Sequence, residues 1–128
     1  MAYYFSKLLS ADFDEAVERT TEALKREGFG IITEIDLQQT LKKKINVDFR
    51  PYRILGACNP ALAHEALKLE DKVGTMLPCN VIVQAASPGR VEVAAIDPVA
   101  SMKAIENPAL LESARVIRSK LEKVINSL

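Results

Sequence analysis

Cys79-Asn80-Val81-Ile82-Val83-Gln84-Ala85-Ala86-Ser87-Pro88-Gly89-Arg90-Val91-Glu92-Val93-Ala94-Ala95-Ile96 decides the fold. Ser87-Pro88-Gly89 is turn chemistry between two runs rich in β-branched residues, which predicts a β-hairpin over 79–96. In its second arm Val91, Val93 and Ala95 alternate with Arg90, Glu92 and Ala94. A period of two sends the valines to a buried face and leaves the other face wet, the pattern of an antiparallel sheet covered on one side.

Working outward, strands and helices alternate. Upstream, Tyr52-Arg53-Ile54-Leu55-Gly56-Ala57-Cys58 reads as a strand that runs straight into Asn59 and Pro60, a helix cap and a first helical residue. Leu62, Ala63, Ala66, Leu67 and Leu69 supply the apolar face of that helix, and after Gly74 the chain reads as extended again. Further back, Leu37, Leu41 and Ile45 recur at i, i+4, i+8 and predict a short helix capped by Asp36, with Lys42, Lys43 and Lys44 on its outer side. Gly30 to Ile35 precedes it as a strand, and Tyr3 to Leu9 is the first strand of the chain.

Residues 12–29 carry a complete helix signature. Asp12 is the N-cap with Glu15 at N3, and Phe13, Ala16, Val17, Thr20, Ala23 and Leu24 form the inward stripe. Lys25 and Arg26 suit the negative end of the helix dipole. Gly28 is the left-handed residue past the end, with Phe29 packing back. Downstream of the hairpin, Asp97-Pro98 and Asn107-Pro108 each open a helix. The second is long, with Leu110, Leu111, Ala114, Ile117, Leu121, Val124 and Ile125 inward. The expectation is one α+β domain over 1–128.

The 128 residues suffice for one core. With 48% hydrophobic and 27% charged residues, the composition is that of a globular protein rather than a disordered one. Lys and Arg number 17, as do Asp and Glu, for a net charge of zero. That balance argues against nucleic acid as a partner, because such affinity rests on phosphate neutralisation. No export signal is read at Met1 to Lys7 and no apolar run reaches the length of a membrane span, so no membrane role is expected. Two cysteines without an export signal are most simply reduced thiols, which makes the cytoplasm the expected compartment.

Three ordered segments carry a family pattern: Tyr52 to Pro60 with Ala63, Leu77-Pro78-Cys79-Asn80-Val81-Ile82-Val83, and Ala95-Ile96-Asp97-Pro98. Together with Ala16, Ala23-Leu24, Gly28-Phe29-Gly30, Lys44 and Asp48-Phe49, they resemble the bacterial and archaeal "domain of unknown function 302" family over nearly the whole chain. The resemblance implies a TATA-binding-protein-like architecture, a curved, mainly antiparallel sheet with helices on one face, and a homodimer. It implies no activity. It also implies that the fold does not need the two cysteines, since the family includes a branch without them. At the hairpin tip, Ala85 to Gly89, this chain lacks the acidic residues associated with the family, so nothing carries over there.

Cys58 and Cys79 are the residues with chemical promise. Cys58 ends a strand just before a helix N-terminus, where free N–H groups favour a thiolate; Ala61 and Leu62 are the expected donors. Cys79 opens the next long strand and shares the parity of Val81 and Val83. Core packing competes with function for this pair, because a free cysteine behaves as a small hydrophobe. His64, the only histidine, offers a third ligand to a thiophilic metal, but on the helical wheel it turns toward solvent and the spacings match no compact zinc motif. No nucleophile triad or phosphate loop is recognisable. Asn59, Asn80 and Asp97 read either as caps and strand-end residues or as the polar rim of a pocket.

Three functions follow, in order. The first is a binding module with a small ligand or metal near Cys58, Asn59, Cys79 and Asn80. The second is a thiol enzyme with Cys58 as nucleophile and Cys79 resolving. The third, nucleic-acid binding, rests on architecture alone and is disfavoured.

Overall fold

The computed structural model describes residues 2–128. It contains strands β1 (Tyr4–Ser10), β2 (Gly30–Asp36), β3 (Tyr52–Cys58), β4 (Cys79–Ser87) and β5 (Arg90–Ile96). The helices are α1 (Phe13–Arg26), α2 (Leu37–Ile45), α3 (Pro60–Leu69), α4 (Pro98–Met102) and α5 (Pro108–Asn126), with a short 3₁₀ helix at Asp71–Met76. The strands form one antiparallel sheet in the order β1-β5-β4-β3-β2. The expected hairpin is its centre, β4 beside β5. Bulges between Ile31 and Thr33 and between Ala85 and Ser87 interrupt the register and add local twist.

Alternation builds the core. Leu55, Ala57, Cys79, Val81, Val83, Val91, Val93 and Ala95 leave the sheet on one face and are buried against α1 and α5. The α1 stripe (Ala16, Val17, Thr20, Ala23, Leu24) and the C-terminal half of α5 (Ile117, Leu121, Val124, Ile125) complete that layer. Thr20 is fully buried without penalty, because its hydroxyl donates to the Ala16 carbonyl at 2.7 Å. A smaller satellite core joins Ala66 of α3, Val73 of the 3₁₀ helix, Met102 of α4, and Leu110 and Ala114 of α5.

The caps form as the sequence suggests. Asp12 Oδ1 accepts from Glu15 N at 2.8 Å, Asp36 Oδ1 from Gln39 N at 3.0 Å, and Asn107 Oδ1 from Leu110 N at 3.2 Å. α1 ends in a full Schellman motif: Gly28, at φ +85°, donates to Lys25 O and Phe29 to Leu24 O, both at 3.0 Å.

Some expectations are corrected. The chain turns extended from Leu77 rather than directly after Gly74, because a 3₁₀ helix anchored by buried Val73 runs on to Met76. Val73 and Met76, its two apolar contacts with the satellite core, are too few to generate a periodicity. In α3 only Ala66 is buried, while Leu67 and Leu69 are exposed. That helix is gripped by α5 and the 3₁₀ helix along one narrow line, so the leucines flanking it meet solvent. α2 has no buried residue, and Ile45 is 63% exposed, because α2 stands beside β2 and β3 with no further layer over it. Phe13 and Leu111 are half-buried rather than core residues.

Candidate functional site

Cys58, Asn59, Cys79 and Asn80 do not converge on one point. Ala57 pairs with Cys79 across the β3–β4 ladder, so Cys58 is one residue out of step with Cys79. On a pleated sheet that places the two cysteines on opposite faces. Cys79 is buried in the helix-covered core, and Cys58 is half-buried where β3 ends opposite Gly30. Burial pushes the Cys79 thiol up to about 11, with a further push from the charge of Cys58. A thiol so raised is protonated at neutral pH.

Asn59 is committed to the α3 cap. Its Oδ1 accepts from Leu62 N at 3.2 Å and its carbonyl from Ala63 N at 2.9 Å. Leu62 is therefore not available to Cys58, a correction to the expected donor pair, and Pro60 has no N–H to offer. His64 is exposed, and no group of three or more His, Cys, Asp or Glu side chains is close enough to hold a metal among the described residues.

Asn80 pairs with Gly56 and so lies on the open face, the side to which Cys58 also turns. The sheet face away from α1 and α5 remains open across β1, β5 and β4. Side chains on it fall into rows across the strands. Tyr52, Gln84, Glu92 and Leu8 lie in register as one row, and Ile54, Ile82, Ala94 and Ser6 as the next. Tyr4 pairs with Ile96 and Gly56 with Asn80 beyond them. The small residues in the middle row leave a shallow groove of about 370 Å³ with Ile82 and Ala94 at its floor. Tyr52 stands at one side and Tyr3 and Tyr4 at the other, the last two packed edge to face at 5.1 Å. Asn80 marks one polar end, Gln84 and Glu92 the other.

The polar end is wired together. Gln84 Nε2 donates to Glu92 Oε1 at 2.8 Å, and Gln84 Oε1 accepts from Arg50 Nε at 2.9 Å. The Arg50 guanidinium lies over the Phe49 ring at 4.4 Å and near that of Tyr52 at 5.7 Å. Of the residues singled out from the sequence only Asn80 lines this groove. Its other members were readable in part, since the wet parity of Glu92 and Ala94 extends through the register to Ile82 and Gln84. Arg50 does not line the groove; it reaches the outer side of Gln84 from a loop, where no periodicity marks it.

The comparisons agree with this fold. The family model "Domain of unknown function DUF302" matches residues 5–128. The crystal structure of an uncharacterized conserved DUF302 protein from Bacillus stearothermophilus is similar at a TM-score of 0.90 and 30% identity, covering 98% of each chain. No curated protein matches. With all but the first few residues matched by the model and this level of likeness along the whole fold, the chain belongs to the DUF302 family.

Proposed function

We propose that this protein is a binding module whose ligand surface is the open sheet face. One observation carries the reading: an apolar floor, three tyrosines and a few convergent polar side chains meet in one groove on the open face of the sheet. Concave, mainly apolar sites with few fixed polar groups are how small molecules are held. No helix among the described residues is long and apolar enough to cross a membrane. The reading places the protein in the cytoplasm, in keeping with its free thiols, as a homodimer and without a nucleic-acid role, the last supported by its zero net charge. The test is a small-molecule screen followed by amide chemical-shift mapping, repeated with Ala94→Phe, which fills the groove floor. Binders should shift Ile82, Ala94 and Tyr52 and be lost in the variant. Binders that map elsewhere, or that ignore the variant, overturn the reading.

A second reading, thiol chemistry or a thiol-held ligand, is favoured only by Cys58. It is the accessible member of the pair and precedes the N-terminus of α3, whereas Cys79 is buried and protonated. A thiol reagent at neutral pH should label Cys58 first, and Cys58→Ser should remove the fast phase. Reaction of both cysteines only after unfolding would leave them as packing.

A further inference from the structure

We propose that the ligand of the open face is a small organic carboxylate with an apolar body, and that Arg50 binds its carboxylate. This rests on the reading of that face as the binding surface and names the chemistry it selects.

The argument begins with Gln84. Its amide accepts from a guanidinium, which only donates, and donates to a carboxylate, which only accepts. Both neighbours therefore fix the same orientation of the amide. Placed between Arg50 and Glu92, it also keeps them from closing into an ion pair with each other. No acidic side chain of the described residues lies within ion-pair distance of Arg50. Arg50 is thus held through Nε and through two aromatic rings, while its terminal Nη groups have no acidic partner. A planar guanidinium anchored in this way at the rim of the groove, beside Gln84 and Tyr52, suits a carboxylate.

The surroundings narrow the class. Ile82, Ala94 and Ile96 along the groove favour an apolar body, and Tyr52 offers it a ring to stack on. Glu92 stands one residue from the guanidinium through Gln84, so a multiply charged anion meets repulsion that a single carboxylate meets less. Asn80 and Glu92 provide hydrogen-bonding groups at the two ends for polar substituents on that body.

The experiment is a chemical-shift titration of the folded protein with benzoate, benzyl alcohol and inorganic phosphate, in the wild type, Arg50→Ala, Arg50→Lys and Gln84→Leu. Benzoate should saturably shift Tyr52, Ile82 and Ala94, and Arg50→Ala should weaken it about tenfold or more, as loss of a charge-assisted contact does. Arg50→Lys should fall between, because the charge survives and the fork does not. Gln84→Leu should weaken benzoate as well, by freeing Arg50 to turn toward Glu92. Arg50 is exposed, so its variants should keep the wild-type spectrum away from the groove. Benzyl alcohol or phosphate binding as tightly as benzoate overturns the proposal, as does benzoate binding indifferent to Arg50. If all three probes fail while neutral compounds from the screen bind the groove, the carboxylate assignment falls and the binding face stands. If no compound binds the groove, both fall.

Discussion

A methyl group on Gly56 would stand 2.0 Å from Thr33 Oγ1 and 2.7 Å from Pro78 Cγ. Those two side chains occupy the space above Gly56 on the open face, so β3 needs a residue without a Cβ there. Thr33 has a rotamer to give, but the Pro78 ring does not. Gly56→Ala should therefore cost about 1–3 kcal/mol, read as a lowered urea midpoint, in line with overpacking elsewhere. An unchanged midpoint would mean that β2 shifts freely. Cys79 gives a second prediction at this scale, through pH. Its folded pKa, about 11, lies above that of an unfolded cysteine, about 8.5. Between those values the unfolded chain loses the thiol proton and the native chain keeps it, so stability is fully present below pH 8.5 and is lost as pH rises toward 11. The loss should reach about 3 kcal/mol once both states are ionised. The measurement is a difference between the wild type and a variant without the thiol. Cys79→Ala should lose less stability than the wild type between pH 8 and pH 10.5, and parallel losses would show that the thiol ionises without unfolding.

Elements in this fold are stopped and started by single side chains, and Asp97 does two such tasks. Its Oδ1 accepts from Val99 N at 3.0 Å to cap α4, and its Oδ2 lies 3.1 Å from Arg118 Nε on α5. Arg118 also lies over the Phe5 ring of β1, so one acid links the end of β5 to α4, α5 and the edge strand. Asp97→Ala should destabilise by about 1–2 kcal/mol, and Asp97→Asn by less, since the amide oxygen keeps the cap and only the charge is lost. Equal losses in thermal unfolding would shift the weight from the cap to the ion pair. Caps such as this one were legible in the sequence because they depend on residues two or three positions apart. So were the hairpin and the α1 stripe, whose periods are local. What Ile45, Leu67 and Leu69 face was not legible, because burial depends on which element arrives from elsewhere. The candidate site follows the same division. The alternation in β5 disclosed its wet face, and Asn80 was noted, but the groove exists only once the register aligns Tyr52, Gln84 and Glu92 across three strands. Opposite placement of the cysteines likewise follows from the pairing of Ala57 with Cys79, a one-residue offset that no single strand contains.

For the whole molecule, the question is what the remaining apolar surface does. Ile32 is 61% exposed on the edge strand β2, Ile35 is exposed further along it, and Ile45 and Val47 are exposed where α2 ends. The bulge in β2 turns Ile32 out of the regular pairing. A monomer with no partner tends to blunt such an edge with charge, whereas aliphatic side chains on an edge invite association. Zero net charge adds no general repulsion between copies. A homodimer that buries this patch should sediment at twice the mass of the chain. Its melting temperature should rise with protein concentration, because association stabilises the folded form by mass action. Ile32→Glu combined with Ile45→Glu should give a folded monomer whose melting temperature no longer depends on concentration. Both positions are exposed in the single chain, so neither substitution opens the core. The groove lies toward β1, β5 and β4, so benzoate titration of this variant should match the wild type. A wild type that sediments as a monomer at every concentration would remove the dimer from the proposed function. A dimer indifferent to both substitutions would move its interface elsewhere, with the open sheet face the next surface to test by Leu8→Glu.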